Sequence, residues 1–411
     1  MKIFNRKLKI TSSALLTLCM VFVMTACAEN SSQSEKSQPA EQTTVQPTTM
    51  SAEEINDRKL DKFISDMTLE EKVGQMFFVR CPDEDAVKQV SEYNIGGYIL
   101  FGRDFDGKTK DEVVDDIHSY QNEADIPLLI GVDEEGGTVV RVSSNPNLRE
   151  TPFLSPKDTY ADGGWDAVKQ DAEEKADLLL SLGINVNLAP VCDMTSDEYG
   201  FMYDRSFSSD VDMENRYVRT VVETSKSKKL GTVLKHFPGY GNNSDTHTGI
   251  AHDDRYYSEF ENTDFKPFYQ GIESGADCIL VSHNIVNCMD SEYPASLSQK
   301  VHDILRNEFK FDGVIMTDDL IMDAITDFTG DEAAAVTAAK CGNDLLCCSS
   351  VDTQYPAVLE AVQNGEISET QVDASVKRIL KWKQNLGIFN IDTYQKKVKS
   401  TEPTDTVGSE E

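Results

Sequence analysis

The sequence predicts an α/β fold, a (β/α)8 barrel of the TIM type that forms a single catalytic domain. Short apolar runs alternate with helix-like stretches along most of the 411 residues, as expected when each strand is followed by a helix that covers the sheet. Polar residues follow several of the apolar runs, at the strand ends where barrels of this type carry their active sites. A doubly wound open sheet is the alternative architecture.

Eight apolar runs have the length and composition of buried strands. They are Met76–Arg80, Ile95–Phe101, Leu128–Asp133, Asn185–Asp193, Thr232–His236, Cys278–His283, Gly313–Thr317 and Leu345–Cys348.

Helix-like stretches lie between most of these runs. Thr68 and Glu71 have the spacing of a capping box and open the first helix. The others are expected at Asp111–Ala124, Trp165–Leu182, Asn215–Ser227, Thr263–Gly275, Gln299–Phe309, Gly330–Lys340, Tyr355–Asn364 and Ser368–Leu386.

The two ends of the chain differ in composition from its middle. Residues 1–26 have a basic start and a short apolar run, and they end in small residues before Cys27, as in a lipoprotein signal peptide. An ordinary secretory signal with a chance cysteine is the alternative. Residues 27–51 and 393–411 are polar and are expected to be a disordered tether and a disordered tail. The catalytic domain is then residues 52–392, exported and anchored to the membrane through lipid on Cys27.

Charge and cysteine content narrow the class further. The formal charge of −32 argues against a nucleic-acid partner and against electrostatic attachment to anionic lipid, since both need basic patches. The membrane contact is therefore expected only through the N-terminal lipid. The nine cysteines show no regular spacing of a disulfide framework. We expect a monomer.

The most informative stretch is residues 235–247. Lys235 and His236 end an apolar strand, and a glycine-rich loop then leads to Asp245 and His247. A carboxylate beside an imidazole can transfer protons near neutral pH. A zinc site or a structural histidine would fit the same residues when they are taken alone.

Acidic residues end three other strands. Asp133, Asp193 and Asp318 follow apolar runs, and His283 follows a fourth. Because strand side chains alternate between faces, only one of Asp318 and Asp319 is expected to enter the barrel mouth, and the other is expected to cap the next helix or bind backbone. Arg205 is compatible with a substrate contact or a surface ion pair.

Metal and cofactor motifs are missing from the sequence. It contains no His-Glu-x-x-His, no cysteine pairs at metal spacing and no phosphate-binding glycine motif. We therefore expect no metal and no cofactor.

Four ordered motifs resemble glycoside hydrolase family 3, in its single-domain β-N-acetylglucosaminidase branch. They are Val132–Arg141, Asp204–Phe207, Lys235–Gly239 and Asp318–Met322, and the similarity extends from about residue 60 to about residue 389. The other enzymes of this family, mainly β-glucosidases, take their acid from a second domain for which this chain has no room.

The resemblance implies a retaining mechanism. Asp318 would be the nucleophile, and His247, oriented by Asp245, would be the acid/base. The sugar would be held by Asp133, Arg141, Arg205, Lys235 and His236. Three departures affect the loop before the His-Asp pair: it is one residue shorter, Tyr240 replaces a histidine, and Asn242-Asn243 replaces Asp-Thr.

The expected activity is exo-hydrolysis of terminal β-linked N-acetylglucosamine from cell-wall fragments or other glycans, so the partner is a carbohydrate. A phosphorylase or a β-glucosidase on the same scaffold is the alternative enzyme. A non-catalytic sugar-binding lipoprotein is the alternative of another class, although a pure binder would not need Asp318, Asp245 and His247.

Overall fold

Eight parallel strands form the central sheet of the computed structural model, which describes residues 50–243, 249–329 and 331–396. The strand order is β10-β1-β2-β3-β4-β5-β7-β9, and a parallel bridge between Met316 and Leu345 joins its two ends. The sheet is therefore a barrel, as predicted, and the open-sheet alternative is wrong. The strands are β1 Phe77–Arg80, β2 Gly97–Leu100, β3 Leu129–Val132, β4 Val186–Asn187, β5 Gly231–Phe237, β7 Cys278–Val281, β9 Val314–Thr317 and β10 Leu346–Cys348.

Two further strands were not expected from the sequence. β6 (His252–Asp253) pairs in parallel with β8 (Ile285–Val286) in the loops that follow β5 and β7. This small sheet ties together two loops above the carboxyl ends of the barrel strands.

Helices surround the barrel at the predicted places, and four more, at residues 52–65, 86–93, 257–262 and 323–329, were not expected from the sequence. They are α1 Ala52–Ser65, α2 Leu69–Gln75, α3 Ala86–Tyr93, α4 Lys110–Glu123, α5 Pro156–Ser181, α6 Val211–Lys228, α7 Tyr257–Asn262, α8 Phe265–Ser274, α9 Gln299–Asp303, α10 Asp323–Thr329, α11 Asp331–Lys340, α12 Val351–Gln363 and α13 Glu369–Asn385. The capping box of Thr68 and Glu71 opens α2, as predicted. α5 begins nine residues earlier than predicted, because Gly163 and Gly164 leave the helical conformation and join two helices at a kink.

The barrel interior is filled by side chains at alternate strand positions. Phe78, Ile99, Leu129, Val233 and Met316 belong to one buried cluster. Gly131 faces the same interior, and a Cβ there would lie 2.5 Å from the Phe78 ring. Position 131 therefore has to be glycine for Phe78 to occupy the middle of the barrel.

Helix α13 closes the end of the barrel where the strands begin. Its Ile379, Trp382 and Leu386 join the interior cluster, and the Trp382 indole would lie 3.1 Å from a Cβ at Gly231, the first residue of β5. This end of the barrel interior is thus blocked by apolar side chains, and a cavity opens at the carboxyl ends of the strands.

None of the helices in the described ranges is both long and apolar enough to cross a membrane. The seven cysteines in those ranges are free, and all except Cys288 are buried. Cys192, Cys278, Cys347 and Cys348 belong to the buried apolar clusters.

Candidate active site

A cavity of about 560 Å³ opens at the carboxyl ends of the barrel strands. That is enough for a sugar unit, since ligand pockets commonly measure ~300–1,000 Å³. Its lining includes all the described residues that the sequence assigned to the substrate or the reaction: Asp133, Arg141, Arg205, Lys235, His236 and Asp318. Asp245, His247 and Cys27 lie outside the described residues.

The alternation of strand side chains between the two faces of the sheet also decides which carboxylate of the Asp318-Asp319 pair points into the cavity. Met316 faces the barrel interior, so the residue two positions later continues the same inward column. One Asp318 oxygen accepts the backbone N–H of Asp319 at 2.9 Å. Asp318 is thus placed to face the cavity from the end of β9.

Asp319 has a different set of contacts, although it also borders the cavity. Its two carboxylate oxygens accept hydrogen bonds from the Ser349 hydroxyl at 2.7 Å and from the Ile321 backbone N–H at 3.2 Å. Burial raises the pKa of Asp319, and the bonds from Ser349 and Ile321 act against that rise. Binding to backbone is one of the two roles that the sequence predicted for the second carboxylate.

Four charged side chains form a buried ion-pair cluster. Lys235 lies on β5, Asp133 and Glu135 follow β3, and Arg205 lies in the loop after β4. Lys235 Nζ lies 2.5 Å from Asp133 Oδ1 and 2.7 Å from Glu135 Oε1. Arg205 donates to both oxygens of Glu135, at 3.0 and 2.7 Å. This bidentate pair and the shared carboxylate fix both cations at one side of the cavity.

Burial opposes the charged forms in this cluster, but the neighbouring charges outweigh it. Lys235 and Arg205 together hold the pKa of Glu135 well below its usual range. Asp133 and Glu135 raise the pKa of Lys235, and Glu135 raises that of Arg205. Glu135, Lys235 and Arg205 are therefore charged at neutral pH, so the cluster offers a fixed set of donors and acceptors to sugar hydroxyls.

Glu135 is a central member of the cluster that was not singled out from the sequence. The signal was available, because residues 133 and 135 share one face of an extended chain and Glu134 points the other way. Glu134 is fully buried and accepts the backbone N–H groups of Arg141 and Val142. It therefore shapes the loop instead of meeting the cavity.

His236 has a defined tautomer. Its Nδ1 lies 2.7 Å from Asp193 Oδ2 and its Nε2 lies 3.2 Å from Arg205 Nη2. Because a guanidinium only donates, Nε2 accepts and Nδ1–H donates to Asp193. Asp193 also accepts the backbone N–H groups of His236 and Tyr240, so it orients the ring.

The unusual residues of the following loop have structural contacts. Tyr240 is buried and meets the His236 ring edge-on, with centroids 5.2 Å apart. Asn242 accepts a hydrogen bond from the Thr195 hydroxyl, and the Asn243 amide donates to Asp253. These side chains fix the first part of the loop whose sequence continues to Asp245 and His247.

Arg255 holds the same part of the loop from the other side. Its guanidinium donates to Asp253, to both oxygens of Asp264 at 3.0 Å and to the Gly239 carbonyl at 3.0 Å. A Cβ at Gly241 would lie 2.7 Å from the guanidinium carbon. The sequence offered no signal for this contact, because Arg255 is fourteen positions from the nearest of these glycines. Only the folded chain brings the arginine and the glycines together.

No group of three or more His, Cys, Asp or Glu side chains is placed to hold a metal ion within the described ranges. His283, one of the candidate ligands, donates from Nε2 to the Asp319 carbonyl and accepts the Ser296 hydroxyl at Nδ1. It therefore supports the backbone at the end of β9.

Comparison with known proteins agrees with this geometry. Residues 68–382 match the Glycosyl hydrolase family 3 N terminal domain. The chain belongs to glycoside hydrolase family 3. It is a glycoside hydrolase, and its substrate is a carbohydrate.

Three relatives illustrate the match. A β-hexosaminidase of Nitrosomonas eutropha is 32% identical over 273 residues, which are 64% of this chain and 77% of the relative. One of Hydrogenovibrio crunogenus is 31% identical, over 68% of this chain and 79% of the relative. The structure of a family 3 β-N-acetylglucosaminidase from Paenibacillus sp. str. FPU-7 superposes with a TM-score of 0.74 and 29% identity, covering 84% of this chain and 66% of that one.

Proposed function

We propose that the chain is an exo-acting, retaining β-N-acetylglucosaminidase that releases terminal β-linked N-acetylglucosamine from cell-wall fragments or other glycans. The observation that carries this proposal is the position of Asp318. It continues the inward column of β9 into the same cavity as the ion-pair cluster of Asp133, Glu135, Arg205 and Lys235. The names of the relatives support the choice of sugar.

The proposed reaction has two displacements. In the first, a carboxylate oxygen of Asp318 attacks the anomeric carbon, the glycosidic C–O bond breaks, and the leaving oxygen takes a proton. In the second, water attacks the anomeric carbon, gives up a proton and releases Asp318. The cluster on β5 and on the loops after β3 and β4 holds the sugar hydroxyls through both steps, and the fixed charges need little reorganisation.

The proton donor is proposed to be His247, oriented by Asp245, in line with the family resemblance. The carboxylates that the structure describes in the cavity are less suited than His247 to be the proton donor. Asp133 and Glu135 are bound to cations, and the pKa of Glu135 is well below its usual range. Asp319 adjoins the nucleophile on one strand end, whereas the acid has to approach from the other side of the glycosidic bond.

The decisive experiment is an assay of the purified chain on a panel of aryl β-glycosides, with and without inorganic phosphate. Hydrolysis of the β-N-acetylglucosaminide alone, at a rate that phosphate does not change, is the expected result. Turnover of the β-glucoside with no turnover of the N-acetylated sugar would contradict the sugar assignment. Formation of a sugar 1-phosphate would show that the enzyme is a phosphorylase and not a hydrolase. Binding of the glycosides without turnover of any of them would show that the protein only binds sugar.

We also propose that the protein is an exported, monomeric lipoprotein, with residues 1–26 removed and Cys27 lipidated. Support comes from the composition of residues 1–51. Labelling of cells with an alkyne fatty acid should tag the wild-type chain and leave Cys27→Ala untagged. Equal labelling of both would contradict the anchor.

A further inference from the structure

The rim of the cavity at β1, β2 and the loop after β3 carries two arginines with a common aromatic neighbour. The guanidinium carbons of Arg80 and Arg141 lie 4.4 and 5.8 Å from the centroid of the Phe101 ring. The two cations are therefore at most about 10 Å apart, and all three side chains line the cavity. Phe101 is held in place by its backbone N–H, which donates to Asp104 at 2.7 Å.

Neither guanidinium makes a hydrogen bond or an ion pair with any described residue. The Nε atoms of both Arg80 and Arg141 are buried and have no partner. The Phe101 face attracts the cations but offers them no acceptor oxygen. Buried donors without an acceptor are costly, so these N–H groups are available for a ligand that brings oxygen atoms.

The contrast with the other cations of the cavity indicates the kind of ligand. Arg205 and Lys235 are neutralised by Glu135 and Asp133, which suits a neutral sugar. Arg80 and Arg141 have no such carboxylates, in a chain whose formal charge is −32. A planar guanidinium binds carboxylate, sulfate and phosphate oxygens in pairs.

We propose that Arg80, Phe101 and Arg141 form an oxyanion subsite, and that the natural glycan carries a carboxylate, sulfate or phosphate group on its terminal sugar. This proposal rests on the proposed function and narrows its substrate class.

The strand order supports placing the oxyanion on the sugar and not on the leaving group. β1, which ends in Arg80, is four strands from β5 in either direction around the barrel. The loop that continues to His247 follows β5, so the leaving group is expected on the opposite side of the mouth. An attacking phosphate would enter on that same side, away from Arg80.

The test compares a neutral aryl β-N-acetylglucosaminide with its singly O-sulfated forms. Wild type should prefer one sulfated form by at least about 10-fold in kcat/KM, which corresponds to one charge-assisted contact. Arg80→Gln should abolish this preference, and Arg80→Lys should keep part of it. Arg149→Gln is the matched control, because Arg149 also stacks on a phenylalanine, at 3.9 Å from the Phe153 centroid, but lies outside the cavity lining.

Several outcomes would overturn the proposal. These are no preference for any sulfated form, a preference that survives in Arg80→Gln, and a preference found only when the anion is on the leaving group. Activation by inorganic phosphate that Arg80→Gln removes would assign the oxyanion to phosphate instead of the glycan. A shift of the acid limb of the pH profile in Arg80→Gln, without a change in selectivity, would assign Arg80 to the electrostatics of Asp318.

A binding measurement separates this proposal from the proposed function. If wild type hydrolyses none of these glycosides, the proposed function fails. Calorimetry with inorganic sulfate as the probe then still decides the subsite. Binding to wild type that is weakened at least about 10-fold in Arg80→Gln supports the subsite, and equal binding or no binding contradicts it.

Discussion

Two buried lysines at opposite ends of the barrel have opposite surroundings. Lys235, at the carboxyl end of β5, contacts two carboxylates, which raise its pKa against the effect of burial. Lys383, on α13 beneath the other end, is fully buried and donates to the neutral Gln75 side chain at 2.8 Å. Burial lowers the pKa of Lys383 to about 7.

The difference shows what each end of the barrel is built for. Around Lys235 the mouth holds compensated charges that can meet a polar ligand, and around Lys383 the closed end accommodates an amine without its charge. Substitutions at the mouth should therefore change activity most, and those at the closed end should change stability most.

The largest effect is expected from Asp318→Ala. Removing the nucleophile should lower kcat on an aryl β-N-acetylglucosaminide by about 10⁴-fold or more, with little change in melting temperature. Asp319→Asn is the matched control, since its carboxylate binds Ser349 and Ile321, and it should keep far more activity while losing stability. Activity of Asp318→Ala near that of wild type would remove the nucleophile assignment.

Lys235→Met should be the next most harmful. The substitution leaves the buried Asp133 carboxylate without its cation and should lower the free energy of unfolding by about 3–5 kcal/mol. It should also lower kcat/KM by about 10²–10³-fold. The double variant Lys235→Met/Asp133→Asn removes the uncompensated charge. Urea unfolding should show stability partly restored while activity stays low. Recovery of both together would mean that the cluster is only structural.

Arg255→Met tests the residue that holds the root of the loop before Asp245 and His247. Loss of its bonds to Gly239, Asp253 and Asp264 should lower kcat by about 10-fold for poor leaving groups and much less for activated aryl groups, which need little protonation. Arg306→Met is the control at the closed end, because Arg306 binds Asp344 and the Gly313 carbonyl. It should reduce stability alone. An equal loss for all leaving groups in Arg255→Met would exclude a positioning role in proton transfer.

Part of this contrast between the two ends was predictable from the sequence. The eight strands and the polar strand ends follow from apolar runs and alternation, and the same alternation separates Asp318 from Asp319 and pairs Asp133 with Glu135. Periodicity also places Lys383 on the buried face of its helix, at i+3 from Leu380 and i+4 from Ile379. Arg255, by contrast, reaches the loop through pairing of β6 with β8, two strands too short to give an alternating pattern.

The smallest effect on activity, and the sharpest on pH dependence, is expected from Lys383→Met. Because the folded-state pKa of Lys383 is about 7 and the unfolded value is about 10.4, the unfolded chain binds more protons between these two pH values. The Lys383 contribution to the free energy of unfolding therefore rises with pH across that window, by up to about 1.4 kcal/mol per pH unit, and is constant below it. The difference in the free energy of unfolding between wild type and Lys383→Met should therefore rise between pH 7 and 10. The same difference between wild type and Gln384→Met, a neutral change on the same helix, should stay constant. A pH-independent difference for Lys383→Met would show that the amine keeps its charge at the closed end, and the two ends of the barrel would then treat a buried lysine alike.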